Sequence, residues 1–171
     1  MHSELDISQS VKKDFLEIKI GIGLGAAKFG MTRKEVHSLL GEPDDKDISS
    51  YTDGNDNLFH WESWDYFDSA LSLSFDEEDE WRLVTIEIDS KDYIFENQNL
   101  IGKSKNELLT ILEDKKIKDV IIEVDSTNEP PLCTLISSEC LGINFWFEEN
   151  SLTEVQWSPL LTDEENIKWP E

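Results

Sequence analysis

Apolar residues recur along this chain with two different periods, and the switch between them marks out its elements. Leu71, Leu73 and Phe75 alternate with polar residues, an acidic run from Asp76 to Glu80 follows, and the alternation resumes through Leu83, Ile86 and Ile88. A period of two predicts strands with one dry face, and the acidic run between them predicts a turn, so the segment reads as a β-hairpin. A second hairpin is predicted from Ile143, Phe145 and Phe147, a turn around Glu149 and Asn150, then Leu152, Val155 and Trp157. Further strands are expected around Leu58 to Trp61, Val120 to Val124 and Phe15 to Ile20. Two short helices carry start signals. Thr32 with Glu35, and Ser104 with Glu107, have the spacing of a capping box, in which each side chain satisfies a free amide of the first turn. Met31 and Val36 are placed to staple the first helix, and Gly41 followed by Pro43 stops it. The second has Lys103 at the staple position and no glycine stop, so looser ends are expected.

The two halves echo one another. FGMTRKEVHSLLG, from Phe29 to Gly41, matches IGKSKNELLTILE, from Ile101 to Glu113, with Gly30 on Gly102, Thr32 on Ser104 and Glu35 on Glu107. The same offset places Leu71, Leu73 and Phe75 on Ile143, Phe145 and Phe147, far downstream of the helix. The expected fold class is therefore α+β: a tandem repeat of helix plus antiparallel β-hairpin units, forming a mostly antiparallel sheet with helices on one face. Within one compact domain, residues 1–28 would supply an N-terminal strand and glycine turn. Residues 29–99 would form the first unit, 100–160 the second, and 161–171 an exposed tail from which Trp169 alone tucks back.

Charge narrows the partners. The 171 residues hold 15 basic and 38 acidic side chains, a net charge of −23, and this excess repels nucleic acid and anionic membranes. Its natural complement is a basic protein, although a plain solubility charge accounts for the same number. Residues 41–96 hold 18 acids against 3 bases, and residues 121–171 hold 11 against 1, so the excess is concentrated in two stretches. No stretch approaches the ~18 apolar residues of a membrane span, and the first residues lack a signal-peptide core, so the chain is expected in the cytoplasm, monomeric when free. Cys133 and Cys140 are too few for a disulfide framework and are expected to be buried free thiols.

Catalytic signatures are sparse. Gly21, Gly23 and Ala26 fit GxGxxA, but the helix start lies later, at Thr32, so a glycine turn is the reading rather than a dinucleotide site. His2, His37 and His60 have no metal-binding spacing, and His37 is expected at the helix surface. Asp53, Asn55 and Asn57 alternate like calcium ligands, yet Leu58 stands where an EF-hand needs glycine and Trp64 where it needs glutamate. No nucleophile elbow or phosphate loop is present. The expectation is a protein that is not an enzyme, with no cofactor, no catalytic residue and no dedicated metal site.

The segment from Tyr51 to Asp68 interleaves aromatics with acids, which suits a site for a basic partner because rigid aromatics anchor interfaces and carboxylates steer association. The candidate contact residues are Asp53, Asp56, Glu62, Trp64, Asp65, Tyr66 and Asp68, with Trp64 and Tyr66 expected to be more exposed than Trp61.

The run GMTRKEVHSLLGEPD followed by a hairpin, all repeated once, resembles the tandem units of the β-lactamase inhibitory protein and of small outer-membrane assembly lipoproteins, without their export signal. Among cytosolic chains, a small acidic protein of this kind looks like a bacterial immunity protein of the contact-dependent growth inhibition or polymorphic toxin type. The resemblance implies that the chain binds a basic toxin domain, a nuclease first of all, and neutralises it by covering its active site. A general interaction or regulatory module with no toxin partner is the alternative.

Overall fold

Alternating apolar and polar side chains can be buried on one face only if strands assemble into a sheet with a covered side, and this is the arrangement found. The computed structural model describes residues 16–125 and 132–171. His2 and Phe15 lie outside the described residues. Among those described, three short strands come first: β1 (Ile18–Lys19), β2 (Gly23–Leu24) and β3 (Ala27–Lys28). The glycine segment thus forms turns between short strands. Helix α1 (Arg33–Leu40) leads into β4 (Asp45–Thr52), β5 (Leu58–Tyr66), β6 (Leu71–Asp76) and β7 (Arg82–Ile88). After the small β8 (Ile94–Phe95) and β9 (Gln98–Asn99), helix α2 (Lys105–Asp114) leads into β10 (Val120–Val124), β11 (Cys133–Ser138), β12 (Ile143–Glu148) and β13 (Ser151–Trp157).

One sheet joins both halves. Its order is β10-β11-β12-β13-β7-β6-β5-β4, so each helix is followed by a meander, and the last strands of the two meanders pair antiparallel at the centre. The architecture is α+β and mostly antiparallel. Leu73, Phe75, Leu83, Ile86, Phe145, Phe147, Val155 and Trp157 are buried on one face, and Val36, Leu108 and Leu112 from the two helices belong to the same core. That shared core places both helices on the apolar face. Trp157 also donates its indole N–H to the Gly23 carbonyl at 3.1 Å, which ties the short N-terminal strands beneath the sheet.

Local signals explain the helix boundaries. Thr32 Oγ1 accepts the Glu35 amide at 3.2 Å, and the Glu35 carboxylate accepts the Thr32 amide at 2.8 Å, completing the capping box. Gly41 ends α1 with φ of 83°, a conformation that glycine adopts without strain. The longer α2 has no such stop and ends on Lys115. The tail folds back, as Trp169 packs partly buried against the core and would meet any side chain placed at Gly30 within 2.9 Å.

The cysteines depart from expectation. Both are free, but both are exposed. Cys133 opens β11 opposite Glu148 with its side chain away from the core, and Cys140 lies in the turn between β11 and β12. Strand phase decides the first, and the second sits in a surface turn.

Candidate functional site: the open acidic face

Strand β5 divides the predicted contact residues between two faces. Its even-numbered residues sit opposite the apolar ones of β6: Glu62 faces Phe75, Trp64 faces Leu73 and Tyr66 faces Leu71. Glu62, Trp64 and Tyr66 are therefore buried, which reverses the expectation that Trp64 and Tyr66 are more exposed than Trp61. Trp61 is half-buried on the other face. Glu62 is held by Arg33, whose Nη1 lies 2.7 Å from its carboxylate, and by the Trp64 indole N–H at 2.8 Å. The Arg33 guanidinium in turn stacks over the Trp81 ring at 4.4 Å. The Tyr66 hydroxyl donates to the Gly41 carbonyl at 2.9 Å, and burial pushes its phenol up to about 12. These three side chains secure α1 to the sheet.

Asp53, Asp56 and Asp68 lie in turns. Asp53 closes the β4–β5 turn by accepting the amides of Asn55 at 2.8 Å and Asn57 at 2.9 Å and the Asn57 side-chain amide at 3.1 Å. The Asn57 side chain, followed by the backbone amides of Asn57 and Asn55, holds its carboxyl below the usual range. The alternation Asp53, Asn55, Asn57 is thus a turn device. Asp56 is exposed within the same turn, and Asp68 is exposed after β5.

Asp65 alone of the predicted set reaches the open face of the sheet, and the register brings it into company that sequence reading missed. Asp65 faces Ser72, Ser72 faces Glu87, Glu87 faces Gln156 and Gln156 faces Asn144, a polar row running across the central strands. A groove of about 560 Å³ lies over this region, lined by Tyr51, Trp61, Asp65, Glu87 and Gln156 among others. A second hollow of about 240 Å³ shares Asp65, Ser72 and Glu87 with it and adds Phe67 and Asp89. Tyr51 and Phe59 stack at one end, with ring centroids 5.8 Å apart. The single proton of the Tyr51 hydroxyl is shared between Asp76 at 2.8 Å and Glu78 at 3.1 Å, and burial together with these carboxylates raises its pKa above the usual phenol value.

Carboxylates crowd this face. Partial burial, then the charge and hydrogen bond of Glu154, then Asp65 and Asp89, push the Glu87 carboxyl up to about 7. Glu154, two residues from Gln156 on β13 and so diagonal to Glu87, is raised chiefly by burial and also by Asp89 and Glu148. The pair shares a proton near neutrality. Among the described residues, no lysine or arginine forms an ion pair with Asp65, Glu87 or Glu154, although Glu42, Glu62, Glu80, Glu96 and Glu107 all have cationic partners. The face offers unmatched negative charge beside flat aromatic rings.

No family model matches this chain, and no curated protein matches it. Solved structures to which this chain is similar include the following two. The uncharacterized protein yfeY from Escherichia coli is 12% identical, with a TM-score of 0.46 over 84% of this chain and 98% of its own. An extracellular protein containing a SCP domain from Bacillus anthracis is 13% identical, with a TM-score of 0.45 over 83% of this chain and 49% of its own.

Proposed function

We propose that this chain is an acidic binding protein of the immunity type, which neutralises a basic toxin domain by laying the open face of its sheet over the toxin's cationic active site. The observation that carries this reading is the pair of carboxylates without an ion-pair partner, Asp65 and Glu87, in the groove beside Tyr51 and Trp61, with Glu154 adjoining Glu87. A cation-rich surface built to hold phosphates would supply the missing counter-charges, and a nuclease has such a surface. Inhibition then requires occlusion and no chemistry. Such a toxin would be met in the cytoplasm of a bacterium. The capped helix and meander in each half, joined through their last strands, support reading the two halves as copies of one unit, which doubles the sheet and widens the face available to a partner.

The test is capture of partners by the tagged protein from its native cells, followed by titration of the captured protein against salt. A nuclease whose activity falls stoichiometrically with added protein is the expected result, and a partner with no toxic activity overturns the toxin reading. Asp65→Asn with Glu87→Gln should weaken capture without loss of folding. Affinity should rise as pH passes upward through about 7, because the Glu87 and Glu154 pair must release its shared proton to accept a cation.

A further inference from the structure

Among the described residues, β4 and β10 are the two edges of the main sheet, and they differ in what they expose. At one edge, β4 presents a single exposed apolar residue of its own, Ile48, flanked by Asp45, Lys46 and Asp47 and by serines, charges that discourage pairing with another strand. At the other, β10 is VIIEV, with Ile121 51% exposed, Ile122 50% and Val124 47%. Nearby, Leu132 and Trp146 are also exposed. The direction of the backbone follows from one bond. The Asp125 amide donates to the Cys133 carbonyl at 3.0 Å, in register with the ladder, so Asp125 and Cys133 form a hydrogen-bonded pair. Such pairs alternate along antiparallel strands, hence Glu123 and Ile121 bond to β11, whereas the N–H and C=O groups of Val120, Ile122 and Val124 point outward from the end of the sheet.

We propose that the β10 edge receives an extended segment of the partner, one that alternates apolar and basic residues, as an added antiparallel strand. The proposal rests on the basic-partner reading above and specifies how that partner is held. Apolar residues of the incoming strand lie beside Ile122 and Val124. Its basic residues fall on the open face beside Glu123, from which Leu135, Trp146 and Glu154 continue in register across the sheet. Charge selects this occupant over a second copy of the chain. A β10 pair centred on Ile122 brings Glu123 of each copy diagonally close, and each copy carries a net charge of −23. Main-chain bonds supply affinity and the alternation supplies specificity, as in other strand additions.

The experiment uses the whole protein and two synthetic peptides of alternating valine and lysine, one of them N-methylated at alternate amides so that it keeps its charge and loses its strand-pairing donors. Fluorescence anisotropy should show the unmethylated peptide binding about tenfold tighter, the loss expected from one or two main-chain bonds. Ile122→Pro removes only an outward N–H, a position that tolerates proline, and should abolish that difference. Should proline disturb the fold, Ile122→Lys keeps the N–H and opposes both the apolar contact and the charge, and it should likewise abolish the preference. Equal binding of both peptides, unchanged by either variant, overturns strand addition and leaves the acidic-face reading standing. Absence of binding by either peptide at low salt overturns both readings. Self-association in sedimentation that Ile122→Pro abolishes assigns the edge to a second copy and overturns this proposal.

Discussion

Glu62 and Glu87 lie in the same sheet on opposite faces, and their surroundings are opposite in kind. Glu62 is enclosed on the apolar side, where it meets the Arg33 guanidinium at 2.7 Å and the Trp64 indole N–H at 2.8 Å. Glu87 lies on the open side, where its neighbours are Glu154, Asp65 and Asp89. A buried acid without a counter-charge is costly, and among the described residues Glu62 is the one buried acid and is matched by Arg33. The open side keeps Glu154, Asp65 and Asp89 close enough to Glu87 to add to the burial that raises its pKa, a repulsion that folding does not require and that a cationic partner would relieve.

The largest expected effect lies on the core side. Phe75 is completely buried directly across from Glu62, and Phe75→Ala should cost about 3–5 kcal/mol in chemical denaturation. Asp65→Ala on the open side should change stability by only about 0.5 kcal/mol, and equal losses for the two would erase the contrast between the faces. Next in size is Arg33→Ala, which leaves Glu62 buried without its cation and should cost about 1–3 kcal/mol. Adding Glu62→Gln to Arg33→Ala should recover part of that loss, and a double variant no more stable than Arg33→Ala would show that the ion pair does not set the cost. The smallest effect is in pH dependence. The Glu87 carboxyl is raised from an ordinary 4.5 to about 7, so the folded chain holds a proton that the unfolded chain has already released in that range. Its contribution to stability is present below about 4.5 and is lost as pH rises through about 7. The melting temperature of the wild type should accordingly fall relative to that of Glu87→Gln over this interval, and parallel curves would show that Glu87 has no raised pKa.

Much of the fold was legible because its signals are local. The capping box of Thr32 and Glu35, the stop at Gly41 and the alternation through Leu71, Leu73 and Phe75 all depend on residues close in the chain, and each appears where it was expected. The candidate site was less legible. In the stretch WESWDY, both phases of the alternation mix aromatic with acidic residues, so polarity alone cannot assign a face. Trp64 and Tyr66 are buried, contrary to expectation, because β6 imposes its unambiguous phase through the pairs Trp64 with Leu73 and Tyr66 with Leu71. Glu87 and Glu154 went unnoticed as a pair since 67 residues separate them, and only the pairing of β7 with β13 brings them together.

The amino-acid sequence by itself determined the two capped helices, the two hairpins and the acidic excess, for these follow from short-range spacing and from counting, whereas the strands Asp45–Thr52 and Cys133–Ser138 were not expected. Tertiary structure alone decided that the two meanders join through β7 and β13, that Glu62 turns inward to Arg33, and that Asp65, Glu87 and Glu154 share an open face. The physical reason is that strand pairing is a long-range choice. Its register sets which side of every strand is dry, and a side chain's charge acquires its neighbours only once that register is in place.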